Sequence, residues 1–319
     1  MRFIIKLFIL LSLLTLSLWS NDALLSRTRS LMGTYVTLSL PKKNNDQISA
    51  SFDLVQTIED SLSTYDPDAT LALLNKIHKV PYDHYLAEAI LLSKNYYKET
   101  NGYYDISIGS ISKKLYHFGE KKTYSPTQEQ LKNAKLNING IHINKQTITS
   151  DEGIVVDLGG MGKGYAVDKV ANYLDEQNIS KGAIALSGDI QCLDLCEIYL
   201  QSPFGENTFA KVSAKKSHLS ISTSGTYRRY ATTKEEHHLI DPKTATQGKA
   251  FVSVSLFTKA DNSKIDAYAT AVSVMPKEEA LNFLKSHKEI GYVLVEPDGN
   301  IIDGNLNDLI KIKWGKQQF

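Results

Sequence analysis

Four glycines crowd into residues 157–168, Asp-Leu-Gly-Gly-Met-Gly-Lys-Gly-Tyr-Ala-Val-Asp, and no other stretch restricts the fold so tightly. Ile154, Val155 and Val156 precede it, a β-branched run that predicts a short buried strand; Val167, Val170, Ala171 and Leu174 follow at helical spacing. Gly159, Gly160, Gly162 and Gly164 therefore fall where a strand gives way to a helix. Backbone N–H groups and a helix N-terminus can face a phosphate at such a place. Two phosphate-loop templates nevertheless fail. The Walker loop asks for a glycine and a hydroxyl where this chain has Asp157 and Gly164. A dinucleotide fingerprint built on Gly160 and Gly162 asks for glycine at Tyr165. Taken alone, the glycines fit a packing turn as well as a ligand loop, so the rest of the chain has to decide.

The chain opens Met1-Arg2-Phe3-Ile4-Ile5-Lys6 and then runs apolar from Leu7 to Trp19, broken only by Ser12, Thr15 and Ser17. A basic start and a short apolar run predict a secretory signal peptide over residues 1–20, too short for a comfortable span of about 20 apolar residues. Residues 21–319 would then be the mature protein. No cysteine stands near the end of the signal, which excludes lipid attachment there; the protein is expected either free after export or held by an uncleaved signal anchor. Lysines and arginines number 36 against 35 acidic residues, a balance that argues against nucleic acid as the partner. The two cysteines, Cys192 and Cys196, predict a small disulfide in an exported protein and are too few for a zinc site.

Thr34, Val36, Leu38 and Leu40 alternate as a strand that opens the mature fold, with Met32-Gly33 at its entrance and a polar loop from Lys42 to Gln47 behind it. Helical spacing follows from Ile48 to Leu62, in a turn around Leu71 to Ile77, and from Asp83 to Thr100, where Asn101-Gly102 is the stop signal. Lys121 to Asn133 reads as an exposed excursion, and Ile141 to Thr149 as a hairpin. Strands are expected at Ala183–Leu186, at 197–201, 209–213, 219–223 and 251–258, then helices from Asp261 and Pro276 and a hairpin turning at Asp298-Gly299. Strands and helices mix without regular βαβ alternation, so the expected class is α+β.

Asp266 and Thr270 lie four apart on one of these helices, which puts a carboxylate and a hydroxyl one turn apart on the same side. With a backbone carbonyl, such oxygens suit a hard cation such as Mg²⁺; an ordinary helix edge would show the same spacing. Adjacent histidines at a strand end point to opposite faces, so His237 and His238 cannot easily share one ion; either one is buried and hydrogen-bonded and the other exposed, or His238 stands near a reacting phosphate as proton shuttle or orienting donor. Tyr65, Tyr103 and Tyr104 fit stacking on a flat ring as well as packing in a core.

Together these stretches resemble the ApbE family of FAD:protein FMN transferases. The resemblance rests on Met32-Gly33-Thr34, Ser63-Thr64-Tyr65-Asp66-Pro67-Asp68, Tyr104-Asp105 with Phe118-Gly119, the 157–168 loop, Thr223-Ser224-Gly225, His238-Leu239-Ile240-Asp241-Pro242 and Asp266-Ala267-Tyr268-Ala269-Thr270, in order along nearly the whole mature chain. It implies a mixed-sheet, T-fold-related architecture in the periplasm. It also implies an FAD site lined by Met32, Tyr65, Tyr103, Tyr104, Asp105, Asp157, Lys163 and Ile240, and Mg²⁺ held by Asp266, Thr270 and the Gly160 carbonyl. The implied reaction is attack by a Thr or Ser hydroxyl of a flavoprotein acceptor subunit on the phosphorus nearer the flavin, releasing AMP. His238 is the first candidate for general base and Asp266 the second. The chain departs from the family pattern at Lys243-Thr244-Ala245-Thr246-Gln247, at Ser187 before Gly188-Asp189, and in the missing lipoprotein cysteine; the first two put acceptor preference in question. Hydrolysis of FAD to FMN and AMP, and flavin carriage without catalysis, are the competing readings.

Overall fold

In the computed structural model, which describes residues 23–315, eight strands form one antiparallel sheet. They are β1 (Leu24–Leu31), β2 (Thr34–Pro41), β3 (Ala183–Leu186), β4 (Asp189–Cys192), β5 (Leu219–Gly225), β6 (Ser253–Thr258), β7 (Gly291–Val295) and β8 (Ile301–Gly304), and their order across the sheet is their order in the chain. Neighbouring strands are thus chain neighbours within the sheet, and most other elements hang from the loops between them. The insertion between β2 and β3 carries α1 (Asn45–Leu62), α2 (Thr70–Ile77), α3 (His84–Glu99) and α4 (Gly162–Glu176), while α5 (Asn262–Val274) and α6 (Lys277–Ser286) join β6 to β7. Two three-stranded sheets and a two-stranded one complete the described residues: Lys79–Pro81 and Ile141–Ile143 flank Thr147–Ser150, Ile310–Trp314 and Glu197–Gln201 flank Thr208–Ala214, and Ile240–Asp241 pairs with Thr246–Gln247. The class is α+β, as expected.

Alternation along the strands separates two cores. Val254 and Leu256 of β6 and Leu294 of β7 face the helices with Val36 and Leu38 of β2. Phe257, Val293 and Val295 face the other way, onto Phe209, Val212 and Ile310. Cys192 lies in that second core, disulfide-bonded to Cys196. The helix side of β4 and β5 is polar instead: Ser222 donates to Asp189 at 2.6 Å, and Ser220 to Gln191 at 2.7 Å. A charged site can therefore be built into an otherwise apolar interface.

Several expectations need correction. The fold opens with β1 rather than β2; its run Ser26-Arg27-Thr28-Arg29-Ser30 has no alternating apolar face because it is an edge strand. Met32-Gly33 is the two-residue hairpin turn between β1 and β2, with φ of 53° and 66°. Helix α1 begins at Asn45, inside the expected polar loop, since its exposed first turn needs no apolar residue. The terminal strand Ile310–Trp314 was not anticipated, and the excursion after Lys121 contains a short helix, Gln128–Lys132, started by a Thr127–Gln130 capping box. The expected signal peptide lies outside the described residues.

The expected strand 154–156 is buried but enters no ladder; Val155 makes a single parallel bridge to Ile108. Side chains take the backbone groups that a partner strand would have taken. Asn75 Oδ1 accepts the Val156 N–H at 2.7 Å, Asn75 Nδ2 donates to the Val156 carbonyl at 2.9 Å, and Ser110 Oγ accepts the Val155 N–H at 3.0 Å. Asn75→Leu would leave a buried N–H and C=O unpaired, each worth about 1–3 kcal/mol. Urea unfolding should show a loss of roughly 2–4 kcal/mol, whereas Asn75→Asp, which keeps the acceptor, should lose less.

Candidate active site

The site begins where two helices start against each other. A Cβ on Gly164 would stand 2.5 Å from the Asn262 carbonyl oxygen, so the first turn of α4 touches backbone at the first turn of α5. One turn along α4, Asp168 accepts the Asn262 N–H at 2.7 Å and the Ser263 N–H at 2.8 Å, capping α5 from a neighbouring helix. Gly160 makes the second close approach: a Cβ there would stand 2.9 Å from Thr270 Oγ1. The glycine loop thus lies directly on the face of α5 that carries Asp266 and Thr270.

Lys163 Nζ lies 3.1 Å from Asp189 Oδ2 and 3.2 Å from Asp266 Oδ2, with both carboxylates buried. The Gly164 N–H donates to the same Asp266 oxygen at 3.2 Å. Burial and the neighbouring Asp189 push the Asp266 carboxyl up to about 7, against the pull of Lys163. Burial opposes the Lys163 charge, but Asp189 and Asp266 outweigh it and raise its pKa. Two carboxylates share one ammonium, so the cluster is one positive charge short of balance.

Asp266 Oδ1 makes no hydrogen bond among the described residues, and the Thr270 hydroxyl lies 3.4 Å from the Gly160 carbonyl oxygen. Carboxylate, hydroxyl and carbonyl are hard oxygen donors suited to Mg²⁺, and a divalent cation here would offset the missing charge. Among the described residues no group of three His, Cys, Asp or Glu could hold a metal.

A second wall starts at Asp157. Its Oδ2 accepts from Ser112 at 2.6 Å, its Oδ1 accepts the Gly159 N–H at 2.9 Å, and Lys113 Nζ is 3.8 Å away. Burial works against its ionisation, but Lys113, Ser112, Gly159 and Arg229 together hold the carboxyl below its ordinary value. Lys113 also lies over the Tyr65 ring, 4.1 Å from its centroid, and the Tyr65 hydroxyl donates to the Phe118 carbonyl at 3.1 Å. Met32 reaches the same loop from the β1–β2 turn, its Cε 3.9 Å from where a Gly162 Cβ would be.

The two histidines divide as their spacing predicted. His237 is buried, its Nε2 donating to the Gly248 carbonyl at 3.0 Å. The Arg229 carbonyl accepts both the His238 backbone N–H and Nδ1–H, each at 3.1 Å. That fixes the neutral tautomer with an unshared pair on Nε2. Burial and the Arg229 guanidinium push His238 down to about 4, with a smaller contribution from Lys163, which places the ring in the field of the site.

Tyr103, Tyr104 and Asp105 are all buried. The Tyr103 hydroxyl donates to Glu279 at 2.8 Å, with Lys243 Nζ 3.6 Å from the ring centroid. Tyr104 packs edge-on against Tyr96 with its hydroxyl 3.3 Å from that of Ser93, and Asp105 accepts from the Ser107 N–H and hydroxyl. The last two side chains are committed inward. Ile240 belongs to a small cluster with Ile111, Tyr116 and Phe118. The structure thus gathers Gly160, Lys163, Asp266 and Thr270 into one cluster and Tyr65 with Asp157 into another beside it.

Sequence reasoning missed Lys113, Asp189 and Arg229 as site residues. Asp189 had a signal, as the acid after Ser187-Gly188 at a strand start. Lys113 and Arg229 had none, since each is one cation among many until the fold aims it at Asp157.

A family model described as the ApbE family matches residues 32–294. Among curated relatives, an FAD:protein FMN transferase of Vibrio cholerae serotype O1 is 28% identical over 267 residues, 77% of this chain and 78% of that protein. One of Klebsiella pneumoniae (strain 342) is 24% identical over 298 residues, 89% of this chain and 92% of its own. Among solved structures, the flavin transferase ApbE from Vibrio cholerae matches with TM-score 0.74 and 22% identity, covering 93% of this chain and 98% of its own. The ApbE protein from Thermotoga maritima matches at 0.77 and 19% identity, covering 88% and 97%; at these identities the two structures speak for the fold.

Because the folded chain resists protonating His238 down to about 4 while the unfolded chain protonates it near 6.5, folding stability should fall as pH falls through that window. His238→Gln should remove this part of the pH dependence. Denaturant titrations at neutral pH and near pH 5 should show a smaller loss for the variant than for the parent.

Proposed function

The chain belongs to the ApbE family, and we propose from that premise that it is an exported FAD:protein FMN transferase. In the reaction, the hydroxyl of a Thr or Ser on an acceptor protein attacks the phosphorus nearer the flavin. One P–O bond forms, the bond to the bridging oxygen breaks, and AMP departs. The observation that carries the reading is the one-lysine, two-carboxylate cluster beside the Gly160 carbonyl and Thr270 hydroxyl. A storage protein has no need of buried cation ligands at a diphosphate.

The roles follow from charge and geometry. Asp266, Thr270 and the Gly160 carbonyl would hold Mg²⁺, which when bound neutralises charge on the diphosphate and the departing AMP. Lys163 stays cationic between Asp189 and Asp266 and adds fixed positive charge where the phosphates come to lie. Asp157, held ionised, and Tyr65 under Lys113 offer a polar and an aromatic surface for the flavin end, with Met32 and Tyr103 as apolar and aromatic neighbours. His238 presents Nε2 as proton acceptor because Nδ1–H is tied to Arg229. Burial and Arg229 keep its basicity low, and an anionic diphosphate nearby would raise it by reversing the local field. Asp266 is the poorer base, since Lys163 and Gly164 engage its Oδ2 and its Oδ1 would go to the cation. The cysteine pair, already disulfide-bonded, supports an oxidising, periplasmic location.

Mature protein with FAD, Mg²⁺ and a flavoprotein subunit bearing a threonine acceptor should yield that subunit heavier by one FMN, with equimolar AMP. Free FMN and AMP beside an unmodified subunit would assign hydrolysis instead, and no FAD consumption would leave only binding. Asp266→Asn should lower transfer by about a hundredfold or more. His238→Ala should lower it by roughly 10²–10⁴ and flatten the acid limb of the pH–rate profile; an unchanged rate and profile would remove the histidine from proton transfer.

A further inference from the structure

Two loops outside the buried cluster are fastened to each other at its edge. Thr123 Oγ1 donates to the Ala231 carbonyl at 3.0 Å, Ser125 Oγ donates to Glu236 at 2.8 Å, and Ser125 and Thr232 hydroxyls lie 2.6 Å apart. Residues 117–127 and 226–238 therefore form one rim. It is continuous with the site at both ends: the Phe118 carbonyl accepts from Tyr65, and the Arg229 carbonyl holds His238. Two large aromatics stand out from it, Tyr124 at 43% and Tyr230 at 45% exposure.

The rim also carries a surplus of positive charge, although the whole chain is nearly neutral. These two segments contain five cations, Lys121, Lys122, Arg228, Arg229 and Lys234, against three carboxylates, Glu120, Glu235 and Glu236. Two of the carboxylates make contacts within the rim: Glu120 pairs with His117 at 3.0 Å, and Glu236 accepts from Ser125 and Thr232. Lys121, Lys122, Arg228, Arg229 and Lys234 are all exposed, as are the two tyrosines. With five cations against three carboxylates, the rim keeps two more positive than negative charges.

We propose that this rim is the docking surface for the acceptor protein, and that it favours an acidic segment flanking the acceptor hydroxyl. The proposal rests on the transfer reading, which requires a polypeptide to bring a hydroxyl to the edge of the site. Exposed cations steer and select an acidic chain, and exposed tyrosines supply contact area at low entropic cost. The buried cluster around Lys163 is separate from these residues, so the rim selects the acceptor and not the nucleotide.

The test uses the FAD-loaded protein and two labelled synthetic peptides, each with one threonine, flanked in one by Asp and Glu and in the other by Asn and Gln. Fluorescence anisotropy should show the acidic peptide binding about tenfold tighter or more at low salt, with the advantage lost at high salt. Lys121→Glu combined with Lys122→Glu should abolish the preference while leaving the melting temperature and FAD affinity unchanged. Equal binding of both peptides to the parent protein, or an undiminished preference in a normally folded variant, overturns the proposal. Co-sedimentation with anionic phospholipid vesicles that the variant loses, with no preference between peptides, assigns the rim to a membrane surface and likewise overturns it. AMP release from FAD is followed in parallel, so a protein that discriminates the peptides but never consumes FAD fails the transfer reading and not the docking one.

Discussion

The structure depends on a contact with no room for a side chain. Helix α4 starts against α5 with the Gly164 backbone on the Asn262 carbonyl, and Gly160 meets Thr270 in the same way. Any Cβ at 164 would force the two helix starts apart. Asp168 then ties the α5 N-terminus to α4 through two backbone N–H groups. Close approach makes the remaining chemistry possible, because it brings a lysine and a carboxylate from separate helices to 3.2 Å. The loop misses two phosphate-loop templates for the same reason: its glycines serve packing onto α5 as well as exposure of a carbonyl.

The ion cluster shows why burial and function coincide. A carboxylate pair around one ammonium in a buried place carries an unmatched negative charge, which costs stability unless a cation or a proton arrives. The rise of Asp266 to about 7 expresses that cost directly. Ser222 holds the Asp189 oxygen that faces away from Lys163, and Gly164 holds the Asp266 oxygen that Lys163 contacts, so the cluster is oriented before any ligand binds. Such preorganisation suits a reaction in which phosphate charge must be met without rearrangement.

The sheet explains how so many insertions are tolerated. Strands in chain order pair as neighbours, so long excursions between β2 and β3, and between β5 and β6, leave the pairing untouched. Both excursions return to one end of the helix layer. The first brings Tyr65, Lys113 and Asp157, the second Arg229 and His238, and they meet through the hydrogen bonds that join Thr123 and Ser125 to Ala231 and Glu236.

The sequence by itself determined the elements that repeat a pattern. Periodicity located α3, α4 and α5, alternation located β2, the Asp298-Gly299 turn located β7, and the spacing of Cys192 and Cys196 predicted their disulfide. Ordered motifs also named Gly160, Lys163, Asp266 and Thr270 before any coordinates placed them together. Patterns failed where a segment's partners are not local. β1 is polar because it is an edge, residues 154–156 look like a strand but have their backbone met by Asn75 and Ser110, and Ile310–Trp314 finds its partner strand far back in the chain. Only the tertiary structure decided that Asp189 shares Lys163 with Asp266, that Lys113 and Arg229 serve Asp157, and that Tyr104 and Asp105 turn inward. Charge acts through distance in space, and the distances between residues a hundred positions apart are set by how α4 packs on α5.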